Sequence, residues 1–178
     1  MTKEEIYKTL DELNIKYRII NHKAVFTMEE VIKENIEPYE NILKNIFIRD
    51  DKKRNYYLVL VCHNKKVNLK ELSNKINSRK LSFADEEDLY NYLGLTKGSV
   101  SPLGILNDKA HKVTILIDKD IENIDEVGVH PNINTSTVFM NPKDLEKIFK
   151  NNKYEIDEEK RKEIEKRIND KMKNLFND

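Results

Sequence analysis

Ile6, Leu10 and Leu13 recur at helical spacing behind Thr2 and Glu5, a capping-box pair, which predicts an amphipathic helix over 3–14. IKYRII, 15–20, alternates like a short strand. Thr27 and Glu30 repeat the capping pattern ahead of a helix over about 28–35. ILKNIFIRD, 42–50, and YYLVLVC, 56–62, flank the polar turn DDKKRN and predict a β-hairpin. Asn68 caps an expected helix over about 69–77 with Leu69, Leu72 and Ile76 as its stripe, and KLSFA reads as a short strand. Asp85 and Gly94 bracket a short helix. HKVTILID, 111–118, is expected as a buried strand, NTSTVFM, 134–140, as a β-branched one, and Asn141-Pro142 opens a further helix. TKGSVSPLGIL, 96–106, reads as a tight loop, and KDIENIDEVGVHP as irregular.

The order mixes helices and strands without regular βαβα alternation, which argues against a doubly wound parallel sheet. An α+β fold is expected, a mixed-sheet pseudo-barrel flanked by helices. The pattern changes from about Asp157, where DEEKRKEIEKRINDKMKNLFND is nearly all charged with a thin stripe of Ile164, Ile168, Met172 and Leu175. The expected organisation is one domain over 1–156 and an appended amphipathic C-terminal helix over 157–178, suited to docking or self-association.

Composition narrows the class. Hydrophobic residues make up 38% and charged residues 36% of 178, and no apolar run reaches the roughly 18 residues of a membrane span. One cysteine, Cys62, excludes an internal disulfide and fits a cytoplasmic location. With 32 basic and 32 acidic residues, net charge neither implies nor excludes a nucleic-acid partner. Lys65, Lys66, Lys70, Lys75, Arg79 and Lys80 form a basic run whose simplest account is a solvated helix face.

Chemistry is sparse. His22, His63, His111 and His130 lack ligand spacing, and no phosphate loop, dinucleotide turn or nucleophile elbow is present. The polar groups that stand among apolar segments are Lys44-Asn45, the loop Gly98-Ser99-Val100-Ser101-Pro102, and GVHPNINTST with His130, Asn132, Asn134 and Thr135. Strand alternation puts Ile42, Lys44, Ile46 and Ile48 on one face and Leu43, Asn45, Phe47 and Arg49 on the other. Both faces are largely apolar, so Lys44 either snorkels to a rim, pairs with a carboxylate, or faces a ligand cleft. The glycine loop offers backbone N–H groups for an ester carbonyl or a plain connection. His130 and the residues after it serve equally as turn formers, and Cys62 as core.

These pieces occur in one order that resembles the YbaK/ProX family of aminoacyl-tRNA deacylases, in particular its free-standing prolyl-tRNA editing branch. The matching segments are His22 to Glu30, Lys44 to Asp50, Gly98 to Pro102, Gly128 to Thr135 and Asn141 to Leu145, within roughly residues 1–155. The resemblance implies hydrolysis of the ester of mischarged Ala-tRNA(Pro), sparing Pro-tRNA(Pro), without a metal or organic cofactor. It implies the acceptor end of aminoacylated tRNA(Pro) as partner, with prolyl-tRNA synthetase as a second candidate and no membrane. It assigns Lys44 to deacylation, Gly98 to Pro102 to positioning the ester, and Asn45 and His130 to the pocket. It extends the substrate-binding set to Asn132, Asn134 and Thr135. Two alternatives stay open: a deacylase for a cysteinyl or seryl group, and a non-catalytic module that binds tRNA or a synthetase.

Overall fold

The computed structural model describes residues 1–152; the expected appended helix over 157–178 lies outside the described residues. Twelve regular elements are formed: α1 (Lys3–Glu12), β1 (Tyr17–Asn21), α2 (Met28–Lys33), β2 (Lys44–Asp50), β3 (Tyr56–Val61), α3 (Leu69–Lys75), β4 (Leu81–Phe83), α4 (Glu86–Leu93), β5 (Val113–Ile117), β6 (Val127–Val129), β7 (Ser136–Met140) and α5 (Pro142–Asn151). Short 3-10 turns cover Tyr39–Asn41, Pro102–Asn107 and Lys119–Asn123. No helix of the described residues is long and apolar enough to cross a membrane.

The strands form two sheets, one in the order β4-β2-β3-β5 and one in the order β1-β7-β6. Among the described residues only the β3–β5 strand pair is parallel. The sheets meet where Ile42 bridges Gly128 and the Leu43 amide donates to the Gly128 carbonyl at 3.0 Å. Glycine is required at that junction: a Cβ there would sit 2.8 Å from Phe139 Cε1 and 3.0 Å from Ile42 Cγ1. The α+β class and mixed pairing match the expectation, with two joined sheets in place of a closed barrel.

The hairpin is covered on both faces, as its apolar pattern requires. Phe47, Leu58 and Leu60 enter the main core with Ile6, Leu10, Leu103, Val138 and Phe149. Ile48, Val59 and Val61 enter a second cluster roofed by Leu69 and Leu72 of α3 and by Ile76 just after it. A third cluster, Val25, Val31, Ile36 and Phe139, seats α2. Both capping boxes form, at Thr2 and at Thr27.

Three expectations change. The segment 119–131, expected as irregular, contains a 3-10 turn and β6, a three-residue strand held by pairing with β7. Residues Pro102–Asn107 of the expected loop wind into a 3-10 helix capped by the Ser101 hydroxyl. β5 is shorter than 111–118 and only Val113 is fully buried, because it is the edge strand. The basic run is also less uniform than a solvated face: Lys65 pairs with Asp118 and Asp120, and Arg79 with Asp51.

Candidate functional site

Lys44 and Asn45 open β2, and the pleat sends them to opposite sides. Lys44 is exposed, and its ammonium donates to the Lys65 carbonyl at 2.7 Å. Of the three expected settings it occupies the rim. The carbonyl it meets is itself held in place. Lys65 Nζ lies 2.7 Å from Asp118 Oδ1 and 2.6 Å from Asp120 Oδ2, contacts that push its pKa up to about 12. Burial pushes the Asp118 carboxyl up, but Lys65 and the Asp120 and Cys62 amides outweigh it and hold the group below the usual carboxylate range. Cys62 packs against the main core, and burial pushes its thiol up.

Asn45 stands on the main-core face, opposite Leu60 in the ladder. Its Nδ2 donates to the carbonyls of Leu43 at 3.3 Å and Val100 at 3.4 Å. Those acceptors fix the amide orientation, and Oδ1 is left buried without a partner. The contact to Val100 ties β2 to the Gly98–Pro102 loop.

That loop is built for shape. Gly98 sits at φ +86°, and a Cβ on it would fall 2.6 Å from Phe26 Cδ1 and 3.8 Å from Asn134 Nδ2. Ser99 is spent internally: its hydroxyl donates to the Thr96 carbonyl at 2.8 Å. The buried Ser101 hydroxyl donates to the His130 carbonyl and accepts from the Leu103 amide. Pro102, also buried, begins the 3-10 helix. Among the described residues the amides of Gly98 and Val100 have no hydrogen-bond acceptor.

His130 follows β6, and its Nδ1 lies 2.9 Å from the Ser136 carbonyl. A carbonyl only accepts, so Nδ1 carries the proton and Nε2 presents a lone pair. Burial pulls the pKa of this imidazole down, opposed by the Ser136 bond and reinforced by His22. The His22 ring is 6.2 Å away. Its Nδ1 donates to the Lys23 carbonyl at 2.7 Å, and its Nε2 accepts from Thr137 Oγ1 at 2.9 Å. Asn132 is held at φ +62°, and both of its amide atoms are buried without partners. The carbonyls of Asn134 and Thr135 accept from the Val25 and His22 amides, so the 22–25 segment lies along this loop.

The structure therefore brings Asn45, the glycine loop and the His130–Thr135 loop together through named contacts, with Phe26 and His22 added. Lys44 is placed beside them in sequence and across the strand from them in space. The sequence pattern gives Phe26 no mark of its own, and His22 none beyond opening the segment His22 to Glu30. Phe26 directly precedes the cap Thr27, a position that normally signals packing onto the helix.

Two other buried polar atoms among the described residues lack a hydrogen bond, Arg49 Nε and Asp88 Oδ2, but they face each other at 3.4 Å as an ion pair. What remains without any partner is Asn45 Oδ1 and the Asn132 amide. A buried amide oxygen without a partner is costly, on the order of 1–3 kcal/mol. An open concavity of ≈ 810 Å³ lies elsewhere, between the Lys119–Asn123 turn and α5, and shares no lining residue with this site.

Comparison with known proteins gives the family. Residues 22–148 match the aminoacyl-tRNA editing domain model. The prolyl-tRNA editing protein ProX of Acetoanaerobium sticklandii is 48% identical over 150 residues, 84% of this chain and 92% of that one. The prolyl-tRNA synthetase associated domain-containing protein 1 of Danio rerio is 32% identical, covering 80% of this chain and 78% of its own. A solved structure of a candidate trans-editing enzyme for prolyl-tRNA synthetase superposes with a TM-score of 0.63 at 19% identity, over 82% of this chain and 90% of that one, which shows the shared fold. Match, identity and coverage together place this chain in the aminoacyl-tRNA editing domain family.

Proposed function

We propose that this protein is a trans-editing deacylase that hydrolyses the ester of mischarged tRNA(Pro), with alanine as the aminoacyl group removed and proline spared. The single observation that carries the reading is the set of unpartnered buried amide atoms, Asn45 Oδ1 and both atoms of Asn132, on the segments that join the glycine loop. The similarity to ProX over nearly the full length of both chains supports the same substrate class.

An aminoacyl ester is already activated, so its hydrolysis needs positioning and electrostatic help more than a strong nucleophile. In this reading the ester carbonyl oxygen sits at the free amides of Gly98 and Val100. Asn45 Oδ1 accepts from the substrate α-ammonium, and His130 Nε2 and the Asn132 amide accept or donate at its edge. Water adds to the carbonyl carbon, the bond to the ribose oxygen breaks, and that oxygen takes a proton, releasing the amino acid and tRNA. The vicinal ribose hydroxyl is close enough to assist the water. Lys44, at the rim, meets the terminal phosphate, and Asn134 and Thr135 shape the wall opposite Gly98. No metal or organic cofactor enters this scheme.

The substrate logic is a second sieve. A synthetase pocket made for proline gains only about 1–3 kcal/mol against a smaller apolar side chain, so alanine passes. A tighter second pocket accepts alanine and rejects proline. A cytoplasmic place beside prolyl-tRNA synthetase goes with that role.

The test is deacylation of Ala-tRNA(Pro) beside Pro-, Cys- and Ser-tRNA, by wild type and Lys44→Ala. Fast loss of alanine with proline spared, dependent on Lys44, is the expected result. Preference for the cysteinyl or seryl ester would move the specificity, and absence of turnover on all four would leave a binding module.

A further inference from the structure

Phe26 departs from its local rule. It directly precedes the helix cap Thr27, where an apolar side chain ordinarily folds onto the fourth helical residue, here Val31. Val25 takes that buried place instead, in one cluster with Val31, and the Phe26 ring stays 65% exposed. The ring is nonetheless held. The Phe26 amide donates to Glu30 Oε2 at 2.6 Å, the Thr27 capping box locks the next residue, and the Val25 amide is tied to the Asn134 carbonyl. One edge of the ring lies on Gly98, so closely that a Cβ there would come within 2.7 Å of two ring carbons. An exposed apolar ring with its backbone fixed is a prepared surface.

Two cations lie close to it along the chain, Lys23 three residues before Phe26 and Lys97 directly before Gly98. Lys23 and Lys97 are exposed, and neither takes part in an ion pair among the described residues. An exposed aromatic face with cations on its neighbouring segments suits the end of a single-stranded nucleic acid, the ring stacking a base and the ammonium groups meeting phosphates.

We propose that Phe26 is the stacking platform for the 3′-terminal adenine of the aminoacylated tRNA, with Lys23 and Lys97 taking the adjoining phosphates. This inference rests on the deacylase reading. The ester is carried by the terminal ribose, so a carbonyl held at the Gly98 and Val100 amides places the attached base one sugar away, over the ring that lies on Gly98. Stacking there orients the ester without touching the reacting atoms, and Phe26 is a positioning residue.

The experiment uses the absence of tryptophan from the chain. Phe26→Trp introduces a single reporter, and titration with the trinucleotide CCA is expected to quench it saturably. Tyr90→Trp, at another exposed aromatic, on α4 and 66% exposed, is the control and stays unquenched. In kinetics Phe26→Leu, which keeps apolar bulk but loses the aromatic face, raises KM for Ala-tRNA(Pro) by about tenfold and leaves kcat within about twofold. Phe26→Tyr restores the wild-type KM. Absence of saturable quenching in a Phe26→Trp protein that still deacylates, or an unchanged KM in Phe26→Leu, overturns the proposal. Quenching by CCA without deacylation of any aminoacyl-tRNA supports the base platform and sinks the deacylase reading instead, so the two failures are distinguishable.

Discussion

The two ends of the β2–β3 hairpin bury polar groups in opposite ways. At the turn end, Asp50 is fully buried and fully used: it accepts from the Lys52 and Arg54 amides at 3.0 and 2.9 Å and from Asn55 Nδ2 at 2.7 Å. Burial pushes its carboxyl up, and these donors outweigh that and hold it below the usual carboxylate range. At the open end, Asn45 uses its donor on two carbonyls and leaves its acceptor buried and alone. The first arrangement is what a fold needs to close a turn. The second adds nothing to stability and makes sense when a ligand supplies the missing donor. Satisfied polar burial marks architecture here, and unsatisfied polar burial is the feature on which the proposed site rests.

Substitutions at the two ends break this comparison if they have the same effect. Lys44→Ala, which removes the cation at the open end, is expected to lower the deacylation rate constant on the order of a hundredfold without changing the melting temperature. Single-turnover kinetics and a thermal melt read the two quantities. Asp50→Ala at the turn end is expected to do the reverse. Urea unfolding should show a loss of about 3 kcal/mol, because three donors lose a buried acceptor, while kcat of the folded fraction stays at the wild-type value.

Asn45→Leu sharpens the contrast within the open end. It removes the lone acceptor along with two weak donations, so stability is expected to change by less than about 1 kcal/mol while kcat/KM falls by about tenfold. A stability loss like that of Asp50→Ala would mean that the Asn45 amide is architectural after all.

The smallest effect is a pH dependence. The folded pKa of His130 is held below its unfolded value by burial. The native state therefore binds fewer protons than the unfolded one between those two values. Stability is fully present above the unfolded pKa, about 6.5, and is lost as pH falls through the folded pKa. His130→Gln removes this part of the dependence, and the difference between the two melting-temperature profiles should appear only below that pH. Asp50, also lowered in the fold, contributes stability that is present above the unfolded carboxylate pKa and lost as pH falls through the folded one, so its loss comes at more acid pH.

Local order fixed much of this molecule before tertiary contacts entered. The capping boxes at Thr2 and Thr27, the hairpin with its polar turn, and the Asn141-Pro142 helix start are set by hydrogen bonds within a few residues and by two-sided apolar periodicity. Strand alternation alone separated Lys44 from Asn45, because the pleat is a property of the backbone. What alternation does not carry is which side of a strand becomes rim and which becomes core. That was decided by α3 packing on the Ile48 face and by the glycine loop reaching Asn45 on the other. β6 has only three residues, too few for a period, and exists through its pairing with β7. The approach of His22 to His130, and of Phe26 to Gly98, joins segments more than seventy residues apart in the sequence. Such contacts depend on where two sheets meet at Gly128, and that meeting depends on the whole core.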